Sequence, residues 1–254
     1  MSAWSPPGRA VRRDAGRDLA EPHLLLEAWD QAATAPAAVR CAVLVQLAGL
    51  CPDLESALDL DVGECADLAA LVHATTFGRE VEGVITCSFC GETLSVEICL
   101  PIRKEPVADT ANGLRRAAVG EFTVRAPTTR DLLAAAAAPD RARAVLLSRC
   151  VQHRDGRPVD PAELTAEQES LLDEAAESIT DAALPMLCTR CPACDNEVRA
   201  ALDVAALLWD RINVAAPRLM TEVAVLARAF GWSEADLLAM PAARRAAYLA
   251  RVEM

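Results

Sequence analysis

The sequence predicts an α+β protein that is mostly α-helical, with zinc-ribbon-like β-hairpins flanked and interrupted by helical segments. Three observations support this class. Apolar residues recur with helical spacing near both ends of the chain, apolar and polar residues alternate around two cysteine pairs, and alanine, the best helix former, is abundant. The 254 residues are enough to bury a sizeable core.

Composition limits the possible functions. The chain has 37 acidic and 25 basic residues, a net charge of −12, which argues against a general binder of nucleic-acid phosphates. Aromatic residues make up only 4%, too few for a base-stacking platform. We find no signal peptide and no apolar run long enough to span a bilayer, so we expect a cytoplasmic protein with reduced thiols and no membrane partner.

The N-terminal part is predicted as an arm followed by helices. Residues 1–20 contain proline, glycine and arginine without periodicity, so we expect a flexible basic arm. Residues 21–78 follow as an N-terminal helical segment. Its three helices begin near Leu24, at Pro36 and after Asp61.

Residues 79–127 change to a period of two and are predicted as a first knuckle hairpin and a strand. Apolar residues alternate on both sides of Cys87-Ser88-Phe89-Cys90-Gly91, which predicts a hairpin whose turn is this C-x-x-C-G element. A further strand is expected near residues 121–126, where Pro127 stops it.

Residues 128–184 are predicted as a helical insertion. Thr128 can cap its first helix, and Thr165 with Gln168 matches a capping box before a long acidic helix. Between these helices, residues 151–161 are interpreted as a polar turn region.

The C-terminal part repeats the change from strand to helix. Residues 185–204 are predicted as a second knuckle, and residues 205–254 as C-terminal helices with one buried stripe. Pro217 is expected to kink or split the first of these helices, and Gly231 to end it. We expect residues 21–254 to form one compact unit.

The two C-x-x-C pairs are candidate metal ligands, namely Cys87 with Cys90 and Cys191 with Cys194. Thiolates at this spacing in a hairpin turn can direct both sulfurs at one tetrahedral Zn²⁺, and four of them leave no open position for catalysis. Cys188 forms an alternative C-x-x-C with Cys191, but Pro192 and the following strand favour the Cys191/Cys194 pair. The long separation of the two pairs requires an insertion between the halves of the site.

Two other uses of the pairs stay open, an empty knuckle and a redox pair. Histidines and acidic residues show no spacing typical of a metal or catalytic site, and no nucleophile elbow, phosphate loop or dinucleotide fingerprint is present. We therefore expect no enzyme, no catalytic residues and no small-molecule substrate. The other cysteines lie in or beside apolar runs and are predicted to be small buried residues: Cys41, Cys51, Cys65, Cys99 and Cys150.

The order of these segments resembles the T-even-like phage baseplate hub assembly chaperones, a family found in contractile tails and contractile injection systems. The resemblance covers about residues 22–252. It includes both cysteine elements, with Asp195 in place of a usual glycine. Its other parts are the Leu24-x-x-x-x-Trp29 helix, the step at residues 125–132, Trp209 and the end segments 231–238 and 241–249.

The resemblance implies a non-enzymatic, zinc-containing assembly factor or structural component of a phage-tail-like machine. Its partners would be the hub or spike proteins of a contractile tail. The alternative is a zinc-ribbon regulatory or nucleic-acid-binding protein, against which the net charge of −12 argues.

Overall fold

The computed structural model describes residues 11–12, 16–102, 110–111, 114–181 and 185–252. The fold is mixed, with more helix than strand and small antiparallel sheets, so the predicted α+β, mostly helical class is confirmed. Within the described residues, no helix has both the length and the apolar character needed to cross a bilayer.

Four helices form the N-terminal part of the helical body, the region that packs around the main core. The third predicted helix begins after Asp61, whose carboxylate accepts a hydrogen bond from the Glu64 N–H at 2.8 Å, and it ends at Gly78 with φ +89°. A short helix that the sequence did not indicate precedes it. The helices are α1 (Pro22–Thr34), α2 (Ala37–Leu47), α3 (Leu54–Leu58) and α4 (Val62–Phe77).

The predicted arm is too long at its C-terminal end. Residues 1–10 and 13–15 lie outside the described residues, but Leu19 is fully buried in the main core. The N–H groups of Arg12 and Arg17 donate to the carbonyls of Leu50 and Ala48. Polar residues beside Leu19 hide this apolar anchor from any periodicity analysis.

The first cysteine hairpin consists of β1 (Glu80–Thr86) and β2 (Thr93–Cys99), in register from Glu80 opposite Cys99 to Thr86 opposite Thr93. Val81 and Leu100, at the base of this hairpin, are buried in the main core. The body therefore holds the open end of the hairpin and leaves the cysteine turn extending from it.

The middle of the chain is less helical than predicted. A four-stranded antiparallel sheet has the order β3-β4-β5-β6, and α7 packs on it. Strand β6 lies where a polar turn was predicted, because three residues are too few to show a period. The elements are β3 (Thr110–Ala111), β4 (Leu114–Val119), β5 (Phe122–Arg125), α5 (Thr129–Ala136), α6 (Ala142–Cys150), β6 (Val151–His153) and α7 (Ala166–Asp181).

Buried ion pairs attach this sheet to the body. Arg115 on β4 binds Asp61 and, at 3.1 Å, Asp67, both on or beside α4. On the same sheet, Arg125 binds Asp131, which also forms the predicted cap with Thr128. The buried Arg115 explains why the sequence pattern does not indicate a strand at β4.

The chain ends with the second hairpin and three helices. Of the two predicted effects of Pro217, a kink or a split, the split does not occur, because α8 is one helix through this position. The Pro217 position is exposed, and the rest of the helix packs along its buried stripe. The elements are β7 (Met186–Arg190), β8 (Glu197–Ala201), α8 (Val204–Phe230), α9 (Glu234–Leu238) and α10 (Ala242–Val252).

Candidate metal centre

The first knuckle is a tight turn fixed by backbone hydrogen bonds. The Cys87 N–H donates to the Glu92 carbonyl at 2.8 Å, and the Gly91 N–H donates back to the Cys87 carbonyl at 2.9 Å. Gly91 has φ +77°, a conformation that glycine adopts without steric strain. This turn directs the Cys87 and Cys90 side chains to the same side.

The second knuckle has the same two backbone hydrogen bonds as the first. The Cys191 N–H donates to the Asn196 carbonyl at 3.0 Å, and the Asp195 N–H donates to the Cys191 carbonyl at 2.9 Å. Asp195 occupies the position of Gly91 with φ +57°, and no other non-glycine among the described residues has a positive φ. Asp195 therefore supplies the left-handed turn residue of the second knuckle, in place of the usual glycine.

The two knuckles bring their four sulfur atoms together. The Sγ atoms of Cys87 and Cys194 lie 3.7 Å apart, and those of Cys90 and Cys191 lie 3.6 Å apart. All four sulfurs lie within 4.8 Å of one another and could hold a metal ion. A tetrahedral site with Zn–S bonds of about 2.3 Å requires sulfur separations of roughly 3.8 Å, and the two measured separations are close to this value.

A small apolar core supports the cluster from inside. Cys87 and Cys191 are almost fully buried, together with Leu94 and Val198. Cys90 is exposed and Cys194 is half-buried. The two hairpins are separate two-stranded sheets, so this core and the cysteines form their contact.

The thiols of Cys194 and Cys90 have pKa values shifted in opposite directions. The backbone N–H of Asn196, together with its side-chain Nδ2 at 3.4 Å from the sulfur, lowers the pKa of Cys194 to about 6. For Cys90, the Glu92 backbone N–H lowers the pKa, but thiol contacts with Cys194 and Cys191 and desolvation outweigh it and raise the pKa to about 12. Metal binding would therefore have to displace at least the Cys90 proton.

Asn196 was not identified from the sequence as part of the site. Its position directly after the left-handed Asp195 aims both its backbone and its side-chain donors at Cys194. A hydrogen-bond donor two residues after the last cysteine of a knuckle is the signal that could have indicated it. Such donors orient metal ligands and moderate their charge.

Cys188, the alternative ligand, does not join the cluster. It is exposed on β7, opposite Arg199, and the group of four contains Cys191 and Cys194 instead. Cys99 is also exposed, on the outer face of β2, so its predicted burial is wrong. The remaining cysteines are buried as predicted: Cys41, Cys51, Cys65 and Cys150.

In chemical terms, four sulfurs fill a tetrahedral coordination shell and leave no position for a substrate or an activated water. Within the described residues, the same four cysteines are the group that could hold a metal ion. Comparison of the chain with protein-family models, with curated proteins and with solved structures finds no match.

Proposed function

We propose that Cys87, Cys90, Cys191 and Cys194 hold one structural Zn²⁺ that joins two hairpins from distant parts of the chain. The observation that carries this proposal is the pair of sulfur separations, 3.6 and 3.7 Å, between cysteines more than 100 positions apart. Binding free energy of about 10–16 kcal/mol is typical of structural zinc sites and acts as folding energy. The ion would thus close a loop that contains the whole four-stranded sheet.

We further propose that the protein acts by binding other proteins, without turnover. A closed set of four thiolates supports a structural metal over a catalytic one. The hairpins also present large apolar side chains to solvent, with Val84 67% and Phe89 65% exposed. Exposed apolar groups beside a rigid metal knuckle suit a surface for protein contact.

The partners we propose are hub or spike proteins of a contractile phage-tail-like machine, for which this chain would be an assembly factor or a structural component. Support for this step comes from the order of sequence segments, in particular the two cysteine elements and the end segments 231–238 and 241–249. The knuckle geometry is compatible with this role because it gives a stable surface and no active site.

The nucleic-acid alternative has less support from the hairpins themselves. Residues 79–100 and 185–201 contain six acidic residues and three arginines. Two of the arginines, Arg190 and Arg199, already contact the acidic side chains Asp195 and Glu197. A surface with this charge repels the phosphate backbone.

Deletion of the gene in a host that makes contractile particles tests the proposed role. We expect sheath and tube proteins to be expressed while complete particles seen by electron microscopy become few or malformed. Complementation with wild type or with Cys188→Ser should restore the particles, whereas Cys191→Ser should not. Normal particle numbers in the deletion strain would contradict the assembly role, and salt-sensitive DNA binding would favour the alternative.

A further inference from the structure

A basic groove lies on the C-terminal helices of this acidic protein. Arg211 and Arg218 flank Val214 on α8, and Val214 is 50% exposed. The groove has a volume of about 330 Å³ and continues between α8 and α1, where Leu25 and Phe77 line it. Apolar area with a cationic group on each side is typical of a surface that receives an amphipathic helix.

Two of the three arginines that line this groove form no ion pair within the part of the chain that the structure describes. Neither Arg211 nor Arg218 forms an ion pair with a described residue. Glu222, the acidic residue of the groove, accepts a hydrogen bond from Arg245 at 3.3 Å instead. Three arginines and one glutamate therefore give the groove a net positive charge.

Helix α7 carries the complementary pattern. Glu167 and Glu174 are exposed without a described ion pair, and Leu171 between them is 47% exposed. The other acidic residues on this helix include Glu169 and Asp173, which bind Arg143 on a different side. The outward stripe of α7 is thus acidic at both ends and apolar in the middle.

The two patterns also match in spacing. Arg211 and Arg218 are seven residues apart, as are Glu167 and Glu174, which corresponds to about 10.5 Å along each helix. In each case the exposed apolar residue lies between the charges. Within one chain α7 packs on β4 and β5, whereas the groove lies between α1 and α8, so the two surfaces are available to different copies.

We propose that the occupant of the groove is a second copy of this chain, with α7 of one protomer packed on α8 of another. Glu167 and Glu174 would pair with the two arginines, and Leu171 would contact Val214. A twofold arrangement would use the contact twice and close as a dimer, and any other arrangement would give a ring or a filament. The net charge of −12 on each copy opposes association, so the contact should be weak and reversible.

Sedimentation velocity of the zinc-loaded full-length protein tests this proposal over a hundredfold range of concentration. We expect concentration-dependent association that the double variant Arg211→Glu/Arg218→Glu weakens by about tenfold or more, which corresponds to about 1.4 kcal/mol. Arg228→Glu/Arg244→Glu is the charge-matched control, because both arginines are exposed outside the groove, and its association should match wild type more closely than that of the groove variant. Monomeric wild type at every concentration would overturn the proposal.

Exchange of the charges between α7 and the groove distinguishes this specific contact from nonspecific electrostatic attraction. Glu167→Arg/Glu174→Arg should also weaken self-association, but an equal mixture of the two double variants should associate as wild type does, because each contact then joins opposite charges. Failure of the mixture to associate, with zinc content and circular dichroism intact in both variants, would overturn the proposal. Because zinc content is measured in parallel, such a failure is distinguishable from failure of the zinc site.

Discussion

In the part of the chain that the structure describes, the helical body buries 32 apolar residues in one core, whereas the two hairpins share four buried residues, two of which are cysteines. Burial at about 25 cal/mol per Å² can stabilise the first region unaided. An isolated two-stranded hairpin is marginal in water, and Leu94 with Val198 is too small a core to hold two of them. The proposed metal site would supply to the hairpins the stabilisation that apolar burial supplies to the helical body.

The largest effect should come from removal of one ligand. In Cys191→Ser we expect zinc to be lost and the hairpins to separate, because the binding free energy of about 10–16 kcal/mol that joins them disappears. Hydrogen exchange should then show loss of protection at the Cys87 and Cys191 amides, while α8 amides stay protected. This result would show that the contact between the hairpins depends on the metal and that the helical body does not.

Cys188→Ser is the matched control for the ligand variant. Cys188 lies on the same hairpin, three residues before Cys191, and it is exposed outside the cluster. Zinc content and hairpin protection should both match wild type. Retention of zinc in Cys191→Ser, or its loss in Cys188→Ser, would show that the ligand set is wrong.

In the body, the largest single effect should come from Asp131→Asn. The Asp131 carboxylate binds Arg125 and Arg149 and completes the cap with Thr128. Removing one partner of a buried ion pair destabilises a protein by about 3–5 kcal/mol, because the remaining charge is left unpaired. Urea unfolding should show this loss at unchanged zinc content, and exposed Asp155→Asn should show almost none.

Acid should affect the two regions at different pH. Burial raises the pKa of Asp131, but the hydrogen bond and charge of Arg125, with further donors, lower it to about 2 from the ordinary 3.8. The stabilisation by this carboxylate, about 2 kcal/mol, is therefore complete above 3.8 and is lost as the pH falls towards 2.

The hairpins should respond first, since protons compete with the metal for thiolates at higher pH. A titration followed by a zinc-binding dye and by far-UV circular dichroism should show zinc release before loss of helix. Asp131→Asn should flatten only the later, acidic step. Simultaneous loss of zinc and helix would argue that the two regions are one cooperative unit.

The smallest effect should come from the positive-φ turn residue of each knuckle, Gly91 and Asp195. Gly91→Ala should weaken the first knuckle by about 1–2 kcal/mol because of backbone strain, since the added Cβ meets no atom within 4 Å. Asp195→Gly should strengthen the second knuckle by about 1 kcal/mol or less, as aspartate tolerates this conformation. Chelator competition for zinc measures both changes, and equal zinc retention in both variants would contradict the turn argument.

What could be predicted from sequence was local. The sequence indicated the two C-x-x-C pairs, the alternation around them and the Thr128 cap at the correct residues. Each of these features lies within a few consecutive residues. Strand β4 was missed because its evidence is distant in the chain, and β6 was missed because three residues are too few to show a period. Arg115 is a buried strand residue only because Asp61 and Asp67 neutralise it from α4.

Contacts between distant parts of the chain also explain the other differences between the predicted and the observed structure. Leu19 is an anchor because it packs into the body's core, and nothing in its own neighbourhood indicates this. Cys99 and Cys188 lie in strands, where successive side chains point to opposite faces of the sheet. A shift of one residue in the strand register would exchange their exposed and buried faces. The sequence already favoured Cys194 over Cys188 through Pro192 and the following strand, and the sulfur positions leave Cys188 outside the cluster.

Zinc K-edge X-ray absorption of protein purified without chelator, combined with elemental analysis, measures whether the four cysteines bind zinc. We expect one zinc per chain with four sulfur ligands at about 2.3 Å. Well under half an equivalent of zinc, or nitrogen or oxygen atoms in the first coordination shell, would contradict the claim that Cys87, Cys90, Cys191 and Cys194 hold the two hairpins together through a metal.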